Sequence, residues 1–90
     1  MKKHFNIRIT GLVQGVFFRA SAKEKAASLN LSGFVRNEPD GAVYAEAEGE
    51  EDSLKKFIEW CHEGPAHARV KNCEVHQGIL KNFTRFVIER

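Results

Sequence analysis

The chain has 90 residues, of which 42% are hydrophobic and 29% are charged, and its formal net charge is +2 at pH 7. This length suits one domain with a single core, so we expect residues 1–90 to form one domain. The charge is too small to predict nucleic-acid binding by itself, and no apolar run is long enough for a transmembrane helix.

The first two predicted elements are a strand and a helix. Residues 5–9 alternate between apolar and polar side chains, a pattern typical of a half-buried strand. Apolar residues then recur at helical spacing over residues 18–29, which predicts a helix. Asn30 suits the left-handed backbone conformation in which many helices end.

A hairpin follows the first predicted helix. Residues 31–37 predict a second strand, and residues 38–41 have the sequence Glu-Pro-Asp-Gly, which favours a turn. Residues 42–48 then alternate with a period of two, which predicts a third strand paired with the second.

The remaining residues predict a second helix and one or two further strands. Residues 50–64 begin with acidic side chains, which suit the helix dipole, and end at a Gly-Pro pair that stops a helix. Residues 69–76 predict a fourth strand, with Cys73 and Val75 facing inward. The tail, residues 83–90, is compatible with a short fifth strand.

The element order predicts the fold. Strand, helix, strand, strand, helix, strand indicates an α+β ferredoxin-like plait, an antiparallel sheet with two helices on one face. In this topology the third strand lies between the first two, which run parallel, so their carboxyl ends meet at one edge about 10 Å apart. The open face of the sheet would carry Asn6, Arg8, Tyr44, Glu46 and Glu48.

The turn between the first strand and the first helix, residues 11–19, contains Gly11, Gly15 and Arg19. The glycines permit unusual backbone conformations and close approach of a ligand. The N–H groups at the start of a helix favour an anion, and a guanidinium binds two phosphate oxygens. These features are compatible with an anion-binding cradle. They are also compatible with a tight turn in which the glycines only relieve strain and Arg19 is solvated.

Asn37 ends the second predicted strand, at the same sheet edge as Arg19. A carboxamide both donates and accepts hydrogen bonds and can orient a water molecule. Asparagine is also common at the start of a turn, so that alternative stays open. The loop lacks the lysine and hydroxyl of a Walker loop, and Val13 stands where some phosphatase loops carry a cysteine nucleophile. A phosphatase built on this loop would therefore use direct attack by water.

Two motifs resemble those of the acylphosphatase family. Residues 11–19 match the motif G-x-V-Q-G-V-x-[FY]-R at every fixed position, and residues 33–49 match the family's second motif in the same way. Residues 64–70 and the ending at 86–90 are also similar to the family. The resemblance implies a ferredoxin-like fold and hydrolysis of the carboxyl-phosphate bond of acyl phosphates.

The resemblance also implies roles for individual residues. Arg19 and Asn37 would be catalytic, with Asn37 positioning the attacking water. The phosphoryl group would be bound by the Arg19 side chain and by the backbone amides of Gln14, Gly15, Val16, Phe17, Phe18 and Arg19. An acyl phosphate leaves as a weakly basic carboxylate, so the reaction needs no general acid, and we expect no metal and no cofactor. Inorganic phosphate or another oxyanion would act as product or inhibitor.

The cysteines and histidines indicate no further site. Cys61 and Cys73 fall on apolar positions, which favours buried free thiols over a disulfide. The four histidines are scattered and none pairs with another at i,i+4, so we predict surface positions and no metal site for His4, His62, His67 and His76.

A plait can instead be an RNA-binding or regulatory module. Tyr44 alone among acidic residues makes a poor surface for stacking bases, so we expect no nucleic-acid partner. A non-catalytic phosphate-binding domain is the second alternative. We expect a monomer without membrane contact. We also expect the chain to be located in the cytoplasm, because its first residues lack a signal-peptide core.

Overall fold

Five strands and two helices form the computed structural model, which describes residues 1–89. The elements are β1 (Lys2–Leu12), α1 (Phe18–Ser28), β2 (Ser32–Asn37), β3 (Val43–Glu50), α2 (Glu51–Glu63), β4 (Arg69–Gly78) and β5 (Phe86–Ile88). The strand order across the sheet is β4-β1-β3-β2-β5. The predicted α+β ferredoxin-like fold is confirmed. Arg90, the last residue of the predicted tail, lies outside the described residues.

The central strands have the predicted arrangement. β3 lies between β1 and β2 and is antiparallel to both, so β1 and β2 run parallel and end at the same edge. The prediction of an antiparallel sheet fails only at β5, which pairs in parallel with β2. After β4, at one edge of the sheet, the chain crosses to the opposite edge and forms β5 there. β5 runs opposite to β4, and this direction is parallel to β2.

The core lies between the sheet and the helices. It is formed by Ile7, Ile9, Val35, Val43, Ala45, Ala47, Ala22, Ala26, Leu54, Phe57 and Cys61. Small residues on α1 allow close packing on the sheet. Phe18 begins α1 and packs on Trp60 of α2 with a centroid separation of 5.2 Å. Because burying such a ring stabilises the fold by about 1.5–3 kcal/mol, Phe18 fixes the start of α1 against α2.

The sheet face opposite the helices, which the sequence predicted to be open, is partly covered. His4, Glu46 and Glu48 are 1%, 6% and 5% exposed. The connection between β4 and β5 covers them, since Lys81 Nζ lies 2.8 Å from Glu46 Oε1 and the Phe83 ring stacks on His4 at 5.9 Å. The surface position predicted for His4 is therefore wrong, whereas His62, His67 and His76 are exposed.

His4 connects the two buried carboxylates. Its Nδ1 lies 2.7 Å from Glu48 and its Nε2 lies 2.8 Å from Asn6 Oδ1 and 3.1 Å from Glu46. Glu48 also accepts hydrogen bonds from the backbone N–H groups of Lys81 and Phe83. Burial raises the pKa of Glu48, but these N–H donors and His4 outweigh burial and hold the pKa below its ordinary value. Glu48 thus fastens the crossing connection to the sheet.

Glu48→Gln is expected to lower the free energy of unfolding by about 1–3 kcal/mol at neutral pH, because an amide replaces a charged acceptor of several buried hydrogen bonds. The folded-state pKa of Glu48 is depressed, so its contribution is present above the unfolded pKa and is lost as pH falls through the folded pKa. The difference between the two proteins should therefore shrink in acid. Urea denaturation at neutral and at acidic pH measures this difference in the free energy of unfolding. Glu59→Gln, at an exposed position, is the control. Equal stability of Glu48→Gln and the unsubstituted protein at neutral pH would contradict the fastening role.

Both cysteines are free thiols, as predicted, but only Cys61 is fully buried; Cys73 is half-buried. Burial raises the pKa of both thiols, strongly for Cys61. No helix among residues 1–89 has the length and apolar character needed to cross a membrane.

Candidate active site

The two glycines of the β1–α1 connection have different roles. Gly11 has a φ of +124° at a register shift between β1 and β4, and a methyl group there would lie 2.2 Å from the Arg69 carbonyl oxygen. Gly11 thus permits close approach of β4, and the interpretation that it gives a ligand access is wrong. Gly15 has a φ of +74°, and a methyl group there would meet nothing within 4 Å. Gly15 leaves the surface of the loop open.

Phe17 has a left-handed backbone immediately before α1, with φ 63° and ψ 25°. For a residue other than glycine this conformation costs roughly 1–2 kcal/mol. A left-handed residue followed by right-handed residues turns successive N–H groups toward one side, an arrangement that binds anions. The residue type gives no indication of this, because phenylalanine rarely adopts such a φ, and the sequence analysis missed it.

The first backbone N–H groups of α1 have no side-chain hydrogen-bond acceptor. No side chain caps its first N–H groups, and its first turn contains no acidic residue, whereas α2 begins with Glu51 and Asp52. The uncapped N–H groups and the positive end of the helix dipole favour an external anion at α1.

Arg19 lies half-buried in the first turn of α1. Within the described part of the chain it forms no ion pair with a carboxylate. The arginines near the β2–β3 turn differ, since Arg8 pairs with Asp40 and Arg36 pairs with Glu38. The Arg19 guanidinium is therefore available for a ligand.

A cleft of about 290 Å³ brings most of the predicted site together. It is lined by Val13, Gly15, Phe17, Phe18, Arg19, Ala20, Asn37 and Ile88. Asn37 ends β2 at the edge where β1 also ends, and its carboxamide receives no hydrogen bond from any side chain or backbone group of residues 1–89. Ile88 was missed, because the tail offered only a possible short strand. Val16 packs against the core instead of lining the cleft.

The Gln14 side chain connects the loop to the β2–β3 turn. Its Nε2 donates hydrogen bonds to the carbonyl oxygens of Glu38 at 2.8 Å and Ala42 at 2.9 Å. The Glu38 N–H donates to the same Ala42 carbonyl at 2.8 Å. Because Glu38 follows Asn37 directly, Gln14 fixes the loop relative to Asn37. Because the Gln14 side chain makes these hydrogen bonds, its backbone amide is the group that remains for contact with a phosphoryl group.

The resemblance implies that Asn37 positions the attacking water. On that role, Gln14→Ala is expected to lower turnover about tenfold while weakening inorganic phosphate binding much less, because misplacement of Asn37 by a fraction of an ångström would reduce the rate. Steady-state kinetics with phosphate as a competitive inhibitor measure both quantities. Gln77→Ala, at an exposed position on β4, is the matched control. Unchanged turnover in Gln14→Ala would show that the connection does not position Asn37.

Metal ligands do not gather at this cleft or elsewhere in residues 1–89, since no three His, Cys, Asp or Glu side chains are grouped in a way that could hold an ion.

The chain is similar to several proteins named acylphosphatase. The family model described as Acylphosphatase matches residues 5–88. An acylphosphatase of Rubrobacter xylanophilus is 51% identical over 75 residues, which cover 83% of this chain and 68% of the relative. One from Methylococcus capsulatus is 43% identical over 98% of this chain and 97% of its own length. The structure of an acylphosphatase from Coxiella burnetii superimposes with a TM-score of 0.95 at 36% identity, covering 98% of this chain and 93% of that one.

Proposed function

The chain belongs to the acylphosphatase family and hydrolyses acyl phosphates, and on that premise we propose how its own residues carry out the reaction. The phosphoryl group binds the 14–19 loop through the N–H groups at the start of α1 and through the Arg19 guanidinium. Asn37 orients a water molecule for attack. The observation that carries the proposal is the cleft in which an unpaired Arg19, an uncapped helix start and a free carboxamide meet.

The water oxygen attacks phosphorus, and the bond between phosphorus and the bridging acyl oxygen breaks. Both electrons of that bond stay with the leaving carboxylate, and the products are a carboxylate and inorganic phosphate. Because a carboxylate is a weak base, no side chain has to protonate it. The transition state asks mainly for positioning and stabilisation of negative charge, which N–H donors and a guanidinium supply.

Asn37 contributes orientation and not basicity. Its carboxamide oxygen accepts from the water and its NH₂ donates, which fixes the direction of the water lone pair. An amide is too weak a base to remove the proton, so the proton passes to a phosphoryl oxygen of the substrate. The cleft is at the small end of ligand sites, which suits a phosphoryl group and one water.

The direct test is release of inorganic phosphate from benzoyl phosphate, measured with and without EDTA. We expect saturable turnover, competitive inhibition by inorganic phosphate, and the same rate with the chelator. An absence of turnover despite phosphate binding would favour the alternative of a non-catalytic phosphate-binding domain. A large loss of rate in EDTA would contradict the metal-free mechanism.

The same proposal covers the partners. The enzyme acts as a cytoplasmic monomer on free small-molecule acyl phosphates, with no nucleic-acid partner. The partly covered sheet face supports the last point, because Lys81 and Phe83 of the chain itself lie on Glu46 and Glu48.

A further inference from the structure

The cleft has an apolar side that the proposed chemistry does not use. Phe17 and Ile88 line it together with Val13 and Phe18. Val13 and Phe18 are buried, whereas the Phe17 side chain is 78% exposed and Ile88 is half-buried. An accessible aromatic ring and an accessible aliphatic side chain therefore lie beside the anion-binding loop.

Phe17 combines backbone strain with exposure. Its φ of 63° is one that glycine or asparagine adopts with less strain. The exposed ring recovers little of this cost by packing within the protein. Strained backbone residues are held in place by the structure around them, and they concentrate at sites where ligands bind. A large ring that is exposed at the cleft is thus more consistent with contact to a ligand than with a role in the core.

We propose that Phe17 and Ile88 bind the acyl group, so that the enzyme prefers acyl phosphates with an aromatic or other apolar acyl group over acetyl phosphate. This inference rests on the proposed function, since it requires the phosphoryl group to lie in the loop beside Arg19. The acyl group is attached through one bridging oxygen and then extends toward the mouth of the cleft. There an aromatic ring buries apolar surface against both side chains, whereas an acetyl group offers a single methyl.

The test is the ratio of kcat/KM for benzoyl phosphate to that for acetyl phosphate. In Phe17→Ala we expect this ratio to fall about tenfold, the effect of losing one apolar contact in a binding site. Phe17→Asn should give the same fall, and because asparagine tolerates the left-handed backbone it separates loss of the ring from distortion of the loop. Ile88→Ala should lower the ratio by a smaller factor.

Ile79→Ala is the matched control, because Ile79 is 86% exposed and follows β4 at the end of the sheet away from the cleft. Its ratio should equal that of the unsubstituted protein. Equal losses with both substrates in Phe17→Asn, or a ratio within twofold of the unsubstituted value, would overturn the acyl-binding role while leaving the hydrolase intact. Failure of the unsubstituted protein to hydrolyse either substrate would instead overturn the proposed function, and this inference with it.

Discussion

Arg19→Ala is expected to lose inorganic phosphate binding and to lower turnover of an acyl phosphate by at least about 10³-fold, as for arginines that stabilise phosphoryl transfer. Arg19 lies in the first turn of α1, lines the cleft and has no carboxylate partner within the described residues. Its removal leaves only N–H groups to stabilise the three phosphoryl oxygens. Both effects follow because, in the proposed mechanism, the same guanidinium binds the ground state and the transition state.

Two further substitutions make the Arg19 experiment specific. Arg19→Lys keeps the charge but not the planar pair of donors, so we expect intermediate phosphate affinity and intermediate turnover. Arg85→Ala removes an exposed arginine beside β5 and should change neither quantity. Phosphate titration by calorimetry and steady-state kinetics give both readouts. Normal phosphate affinity in Arg19→Ala would exclude the guanidinium from the binding site.

Asn37→Ala is expected to behave differently: phosphate affinity stays near that of the unsubstituted protein, and turnover falls roughly 10²-fold or more. Asn37 lines the cleft from β2. In the proposed mechanism it contacts only the attacking water, whereas the loop opposite holds the phosphoryl group. Loss of a group that acts only in the transition state lowers kcat without weakening ground-state binding.

The same kinetic and titration measurements test Asn37. Asn72→Ala, at an exposed position on β4, is the control and should keep normal turnover. If Asn37→Ala turned over substrate at the normal rate, Asn37 would not position the water. If it lost phosphate affinity to the same degree as turnover, Asn37 would bind the phosphoryl group instead.

The position of the candidate site could be predicted from the sequence because it depends on topology. Helical and alternating spacing indicated the elements, and their order required β1 and β2 to end at one sheet edge, which brings Arg19 and Asn37 to one cleft. The signals for Gly15 and Arg19 were local, since a positive φ and a guanidinium at a helix start need no distant partner.

Other features depended on packing that spacing cannot reveal. His4 was predicted to lie at the surface because the histidines are scattered along the sequence, and the path of the β4–β5 connection buries it. The three-residue strand β5 carries Ile88 into the cleft by pairing with β2, which no periodicity of that length could predict. Phe17 adopts a backbone conformation against its own preference, and the hydrogen bonds of Gln14 end on carbonyl groups more than 20 residues away.

The central claim is that the 14–19 loop and Arg19 bind the phosphoryl group. A crystal structure of the protein soaked in sulfate or phosphate tests it most directly. We expect one tetrahedral anion in the cleft, with two of its oxygens on the Arg19 guanidinium, others on backbone N–H groups between residues 14 and 19, and a water between the anion and Asn37. An ordered anion bound elsewhere, with Arg19 directed into solvent and the cleft empty of anion, would contradict the account.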